Sequence, residues 1–258
     1  ILDSRHINEM NNYSIYLLSE AEYEILIKLE SFPKIKDSDF IKNHRGEFDL
    51  TLNKRFISNS SELKLIKGKN ISEFKFLSNV EQYVHKEFLI NTQKLDDINS
   101  ERIVGQQISN MKTNKRLKFA IVSKGHILGN SCNYLIVKQN QYGLSNKALL
   151  AQLNSDIINW YFKSKSSNNH ISNFEIGNFP LILDKSINSK LEILVNRLDS
   201  TGNNHSEIQK EINYVVNNFY NVRTKDRHTH KNKDFKKLLA LANLEVAHNY
   251  IDNLLANK

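Results

Sequence analysis

The sequence is poor in the residues that cross-link a chain and in those that break its secondary structure. Its 258 residues include 1 cysteine, 2 prolines and 8 glycines. One cysteine excludes an intramolecular disulfide and a zinc site built from several cysteines, and it fits a reducing cytoplasm. The scarcity of glycine and proline excludes a collagen-like or linker-rich chain. We therefore expect a folded globular protein that works in the cytoplasm.

Long apolar runs are also missing. The apolar stretches at residues 63–66 and 148–150 are much shorter than the roughly 20 residues that a membrane span needs. The sequence thus predicts no membrane segment, and it shows no secretory signal. Because the chain begins at Ile1 and not at a methionine, we expect it to be a segment of a longer protein.

Positive charge is in excess. The formal net charge is +8 and the sequence pI is about 9.3. A basic surface gains free energy on a polyanion by releasing counterions, so the balance favours a nucleic-acid partner. The chain is also rich in Lys, Asn and Ile, a bias that an AT-rich genome produces in proteins of any function. Charge alone therefore does not establish nucleic-acid binding.

Hydrophobic periodicity separates a β-rich stretch from helical ones. Ser19 and Glu22 have the spacing of a capping box, which predicts a helix that ends before Pro33. Short apolar pieces between polar turns then predict strands, the clearest at 63–66, 102–108, 117–122 and 133–137.

The second half of the chain has helical spacing. Apolar residues from Leu149 to Tyr161 predict a single helix that begins near Asn146. After Pro180 the pattern predicts helices to the end of the chain, the last from Asp234. The fold class we predict is α+β, with boundaries at 1–44 (an N-terminal helical lead-in), 45–183 (a β-rich domain), 184–222 (a helical region packed on it) and 223–258 (a basic link and a C-terminal helix).

Catalytic motifs are absent from the sequence. Neither Pro33 nor Pro180 lies in the Asn/Asp-Pro-Pro-aromatic loop that binds a flipped adenine, and no glycine-rich phosphate loop occurs. A nuclease site needs carboxylates with a lysine around a metal ion, but a turn or helix cap explains Asp96, Asp97 and Glu101 better. We predict no catalytic centre in this chain.

Two histidines in the predicted basic link are the strongest metal-ligand candidates. His228 and His230 are two residues apart, a spacing that chelates a metal only in an extended segment with further ligands. No such ligands lie nearby in the sequence, so we interpret the link as solvated and predict no metal.

Several weak motifs nevertheless occur in a recognisable order. Together they make residues 46–222 resemble the target-recognition domain of TaqI-like adenine-N6 DNA methyltransferases and the fused restriction-modification enzymes related to them. The motifs are GEFDLTLNKRFI at 46–57, LIKGKNI at 65–71, NYLI at 133–136, LLAQLNS at 149–155, FPL at 179–181 and QKEINYVVNNFY at 209–220.

The resemblance implies a function and partners. It makes residues 45–183 a target-recognition domain that reads double-stranded DNA for a methyltransferase domain or subunit. The catalytic loop and the S-adenosylmethionine site of the family lie in another domain, so we expect no cofactor in this chain and S-adenosylmethionine in the missing part. Two alternatives stay open. They are a separate specificity subunit similar to those of type I restriction systems, and a helical protein-interaction module.

Polar, basic loops are the places where such a domain reads bases and grips phosphates. The first candidate is the loop at 109–118, where asparagines can contact adenine, Arg116 is the natural guanine reader and lysines supply charge. The second candidate is the segment at 162–170, which follows the predicted helix. The DNA-binding residues we predict are Asn110, Lys112, Asn114, Lys115, Arg116, Lys118, Lys54, Arg55, Lys163 and Lys165.

Overall fold

A four-stranded antiparallel sheet organises the protein. The computed structural model describes residues 18–60, 63–166, 168–200 and 205–222. The main sheet has the order β1-β10-β7-β8. Its strands are β1 (Ile41–Arg45), β7 (Arg102–Gln106), β8 (Phe119–Val122) and β10 (Cys132–Val137). The register pairs Arg45 with Asn133 and Gly105 with Phe119, so the end of β1, the end of β7 and the starts of β8 and β10 lie together at one end of the strands, which we call the polar edge of the main sheet.

Helices cover one face of the main sheet. They are α1 (Glu20–Glu30), α4 (Asn146–Leu153), α5 (Asp156–Lys165), α6 (Asn173–Gly177), α7 (Lys185–Ser200) and α8 (His205–Phe219). Ile103 and Leu135 of the sheet share one buried core with Leu149, Leu191 and Val216 of the helices. The helices after residue 184 therefore complete the core of the β-rich part.

A small β layer lies on the opposite face. This layer contains a second sheet, formed by β2 (Ile57–Ser58), β3 (Leu63–Ile66), β6 (Tyr83–Val84) and β9 (Ile127–Leu128). The order of its strands is β2-β6-β3-β9. The hairpin of β4 (Ile71–Ser72) and β5 (Lys75–Phe76) and the single turns α2 (Phe88–Asn91) and α3 (Leu95–Ile98) complete it. The only cysteine, Cys132, is buried between this layer and the main sheet.

Close neighbours explain why two positions are glycines. At Gly105 a Cβ atom would lie 2.3 Å from Cε1 of Phe119, so the missing side chain leaves room for that ring. At Gly46 a Cβ atom would lie 2.1 Å from the carbonyl oxygen of Gly129. A side chain at Gly46 would push apart the two turns at the polar edge of the main sheet.

The α+β class is confirmed, and the first helix forms as predicted. Ser19 and Glu22 make the capping box, in which the Ser19 amide donates to Glu22 Oε2 at 2.9 Å. The prediction of one helix from Asn146 to Tyr161 is wrong, because α4 ends at Leu153 and Ser155 caps a new helix. Helical spacing continues across the break, which hid it.

Some expectations concern parts of the chain outside the described residues. They include the helix predicted from Asp234 and the histidines His228 and His230. None of the helices in the described ranges is both long and apolar enough to cross a membrane. Within the same ranges, no group of three or more His, Cys, Asp or Glu residues is placed to hold a metal ion.

Candidate nucleic-acid interface

The structure brings the two predicted loops together at the polar edge of the main sheet. The Ser109 amide donates to the carbonyl of Asn169 at 2.9 Å, and the Ile171 amide donates to the carbonyl of Gln107 at 2.8 Å. Residues 107–118 and 168–171 thus form one surface, which we call the joined loops. A tertiary contact between segments about 60 residues apart creates it, so it could not be found from either loop alone.

Two asparagines at the start of the α5 region hold this surface on the sheet. Asn159 Oδ1 accepts hydrogen bonds from the amides of Arg116 (2.8 Å) and Leu117 (3.1 Å), while its Nδ2 donates to the carbonyl of Asn114 at 2.9 Å. Asn154 bonds both the amide and the carbonyl of Phe119 in the same way. Because these buried amides satisfy the backbone, the loop starts from a fixed position.

Arg116, the residue predicted to read guanine, lies inside the protein. It is 2% exposed, and its guanidinium carbon lies 4.5 Å from the ring centre of Phe162. Its Nη2 donates to the carbonyl of Asn168, and no described carboxylate forms a salt bridge with it. Burial lowers the pKa of Arg116, while the charge of Glu175 raises it. In this conformation Arg116 ties the two halves of the joined loops together.

Lys115 is engaged by acidic groups. Its Nζ lies 2.9 Å from Glu73 Oε1 and 3.3 Å from Asp156 Oδ1, and it donates to the carbonyl of Asn154. Asp156 in turn accepts from Asn213 of α8 at 2.8 Å. The positive charge of Lys115 is therefore largely offset where the loop leaves the helices.

Other predicted residues of the joined loops face the solvent. Asn110, Lys112 and Asn114 are exposed, and Lys118 is half-buried. Asn110 Oδ1 accepts from the Lys112 amide at 2.9 Å, which shapes the loop tip. Lys163 reaches this surface from α5, where Nζ lies 3.4 Å from the carbonyl of Asn114. Burial and the charge of Arg116 lower the pKa of Lys163.

The remaining predicted residues lie elsewhere. Lys165 is paired with Glu30 of α1 and lies 3.2 Å from the Tyr161 hydroxyl, which draws it to the helical layer. Lys54 and Arg55 are exposed in a turn of the small β layer, where the Arg55 guanidinium lies 4.7 Å from the ring centre of Phe56. That turn follows residues 46–53, which are fixed to the polar edge through Asp49 and Asn130.

Arg45 is a basic residue at the polar edge that the sequence did not single out. It ends β1, is exposed, and donates from Nε to the carbonyl of Asn130 at 2.9 Å. The orientation of the Gln107 side chain that satisfies its neighbours places its amide nitrogen 2.6 Å from the Asn130 carbonyl. In this orientation the Gln107 amide oxygen lies 3.2 Å from Arg45 Nε. The signal available for Arg45 in the sequence was a basic residue directly before Gly46, a residue type that permits a tight turn.

An antiparallel sheet backed by helices, with basic and amide-rich loops at one edge, is the architecture of a domain that displays recognition loops on a rigid support. Residues 63–181 match the model of the TaqI-like C-terminal specificity domain. These residues are therefore similar to a TaqI-like C-terminal specificity domain, and the predicted resemblance is confirmed over them. None of the curated proteins compared with the chain is similar to it in sequence.

Solved structures of restriction-modification proteins are similar to the chain. The type IIL enzyme MmeI, solved in complex with DNA, superposes with a TM-score of 0.50 at 10% identity, covering 80% of this chain and 35% of MmeI. The type IIG restriction endonuclease BpuSI has a TM-score of 0.45 at 14% identity, covering 87% of this chain and 34% of its own. The HsdS subunit from Thermoanaerobacter tengcongensis has a TM-score of 0.36 at 10% identity, covering 78% and 51%.

These comparisons bear on the fold and on the length of the chain. At 10% identity the likeness to MmeI supports the fold alone. The chain spans about a third of the length of MmeI and BpuSI.

Proposed function

We propose that this chain selects double-stranded DNA by sequence for a bacterial adenine-N6 DNA methyltransferase or a fused restriction-modification enzyme. The match of residues 63–181 to the TaqI-like specificity domain carries this proposal. Methyl transfer takes place in a domain or subunit outside this chain, which binds S-adenosylmethionine. The complex works in the cytoplasm.

The joined loops are the part of the molecule that meets DNA. They combine exposed amides with exposed positive charge on a backbone held by Asn154 and Asn159. Asparagine can pair with the N6 and N7 edge of adenine, whereas lysine on phosphate positions the protein without reading it. We therefore assign base contacts to Asn110 and Asn114 and phosphate contacts to Lys112, Lys118 and Lys163.

The other predicted residues have supporting parts. Arg116 keeps the loops in place, and Lys115 fixes their base against Glu73 and Asp156. Lys54 and Arg55 form an outer rim that reaches phosphates, while Lys165 reaches DNA only after leaving Glu30. We place the recognition domain at residues 45–183 and the helical region packed on it at 184–222. β1 spans the first of these boundaries.

The test is selection from a random pool of DNA duplexes at two salt concentrations. We expect a short enriched motif that contains adenine, and binding that weakens as salt rises. Salt-sensitive binding without a motif would contradict sequence recognition, and no binding at low salt would contradict any role on DNA.

Lysine variants then locate the surface. Lys112→Ala should weaken binding to every duplex. The slope of log affinity against log salt concentration should become less steep by about 0.9, the value for one phosphate contact. Lys115→Ala should have a smaller effect because acidic neighbours already offset its charge. Lys138→Ala is the control, since this exposed lysine lies at the opposite end of β10. Equal losses for all three variants would exclude the joined loops as the contact surface.

A further inference from the structure

We propose that Arg45 is a specificity-determining residue that reads a guanine of the target through its two terminal nitrogens. The inference rests on the proposed function, because it names one base-reading contact of the same surface. It differs from the sequence-based expectation, in which Arg116 was the guanine reader.

The first observation is how the guanidinium is held. An arginine has five N–H donors, and the single donor on Nε points to the carbonyl of Asn130 at 2.9 Å. This contact fixes the plane of the side chain and leaves the four N–H groups of Nη1 and Nη2 for another partner. No hydrogen bond from Nη1 or Nη2 to any of the described residues is found. A bidentate contact to O6 and N7 of guanine uses those two nitrogens.

The second observation is the rigidity of the acceptor. The Asn130 amide donates to the carbonyl of Phe48 at 2.8 Å, and the Cys132 amide closes the turn on the carbonyl of Gly129 at 2.9 Å. Asn130 Nδ2 also donates to Asp49 Oδ2 at 2.9 Å. Arg45 itself lies on a paired strand. Both ends of the contact therefore stand on regular or closed structure, which lowers the entropy lost when a base is bound.

The third observation concerns the neighbouring carboxylate. Asp49 accepts from the amides of Thr51 (2.8 Å) and Leu52 (3.0 Å) as well as from Asn130. These bonds use both of its oxygens and, with a smaller contribution from the charge of Arg45, lower the pKa of Asp49. No described carboxylate forms a salt bridge with Arg45, so its terminal nitrogens are left for an external acceptor, unlike the Nζ of Lys115.

The fourth observation is location. The Gln107 backbone bonds Ser131 and Ile171, while its side chain faces Arg45 and Asn130. Arg45 is therefore joined directly to the loops proposed to meet DNA. A duplex lying along the joined loops brings its groove edge to this guanidinium.

The experiment compares the motifs selected by four full-length chains from a random duplex pool. They are the wild type, Arg45→Ala, Arg45→Lys and the control Arg197→Ala, which removes an exposed arginine of α7 that is paired with Glu211. Unfolding midpoints are measured for all four. Lysine keeps the positive charge but lacks the rigid, planar pair of terminal nitrogens that matches the two acceptors of guanine.

We expect a guanine in the wild-type motif whose preference falls by about 5- to 150-fold in both Arg45 variants. Arg45→Lys should bind unrelated duplexes as well as the wild type does, and Arg197→Ala should select the unchanged motif. A uniform loss over all sequences would make Arg45 a phosphate contact and overturn the inference. An unchanged motif in the Arg45 variants, or a wild-type motif without guanine, would overturn it while leaving sequence recognition intact. A wild type that selects no motif would contradict the proposed function itself.

Discussion

Two buried arginines of this protein have opposite surroundings. Arg102 is fully buried at the start of β7, and its Nη1 lies 3.1 Å and 3.0 Å from the two oxygens of Glu47, whose side chain is 1% exposed. Arg116 is 2% exposed, donates to a carbonyl of the opposite loop and lies against the Phe162 ring, and no described carboxylate forms a salt bridge with it. One charge is neutralised inside the protein, and the other is not.

Because of this difference, the Arg102 charge stabilises the fold, whereas the Arg116 charge holds the loops. Glu47 also accepts from the Leu128 amide at 2.9 Å, so the Arg102 pair joins the main sheet to the small β layer. Arg116 joins only the two halves of the joined loops. We expect the first arginine to control global stability and the second to control loop position, so that the two effects can be separated by the same substitution.

The largest effect is expected for Arg102→Met. The change leaves the Glu47 carboxylate buried without its cation, which should lower the free energy of unfolding by about 3 to 5 kcal/mol. Urea denaturation followed by circular dichroism measures it. Restoring most of the stability with a second change, Glu47→Gln, would support the cause, because a neutral amide no longer needs a cation. Loss of less than about 1 kcal/mol in Arg102→Met would contradict this account.

A smaller effect is expected at Asp97, a buried carboxylate that is paired. Burial raises its pKa, but hydrogen bonds from Lys42 and Tyr134 and the charges of Lys42 and Lys94 hold it below the usual value. A pKa lower in the folded than in the unfolded state contributes stability above about pH 4, and this is lost as the pH falls through the folded value.

Asp97→Asn should therefore cost about 2 kcal/mol at pH 7, in the range of hydrogen bonds to a charged group. The difference from the wild type should shrink below about pH 4. Denaturation curves from pH 7 to pH 2 measure both. A difference that stays constant across this range would show that the lost stability does not come from the charge.

The smallest loss of stability is expected for Arg116→Met, matched to the Arg102 change. No carboxylate is left unpaired, and the carbonyl of the exposed Asn168 can bond water, so the cost should be about 1 kcal/mol or less. The loops should instead separate more often, and the amides of Ser109 and Ile171 should exchange hydrogen faster, while those of β8 stay protected. Equal destabilisation by the two arginine changes would contradict the different roles assigned to Arg102 and Arg116.

Local patterns predicted the elements whose cause is local. The capping box at Ser19 and the strands predicted at 63–66, 102–108 and 133–137 follow from short-range spacing. The structure has the capping box and strands at 63–66, 102–106 and 132–137. The break at Ser155 was missed because apolar spacing runs through it. The ten predicted DNA contacts stay a prediction. The structure nevertheless separates Lys112 on the surface from Arg116 inside and Lys165 beside Glu30.

Residue type, order and spacing are enough to predict the class of fold and the similarity of residues 63–181 to the TaqI-like specificity domain. Which charges face outward depends on the tertiary structure. Arg45 and Arg116 are the same type of residue. A turn at Asn130 holds Arg45 at the surface, whereas a loop at Asn168 covers Arg116. Residues distant in the chain decide whether a charged side chain is buried or paired. Its charge reaches an external partner only where those residues leave it exposed.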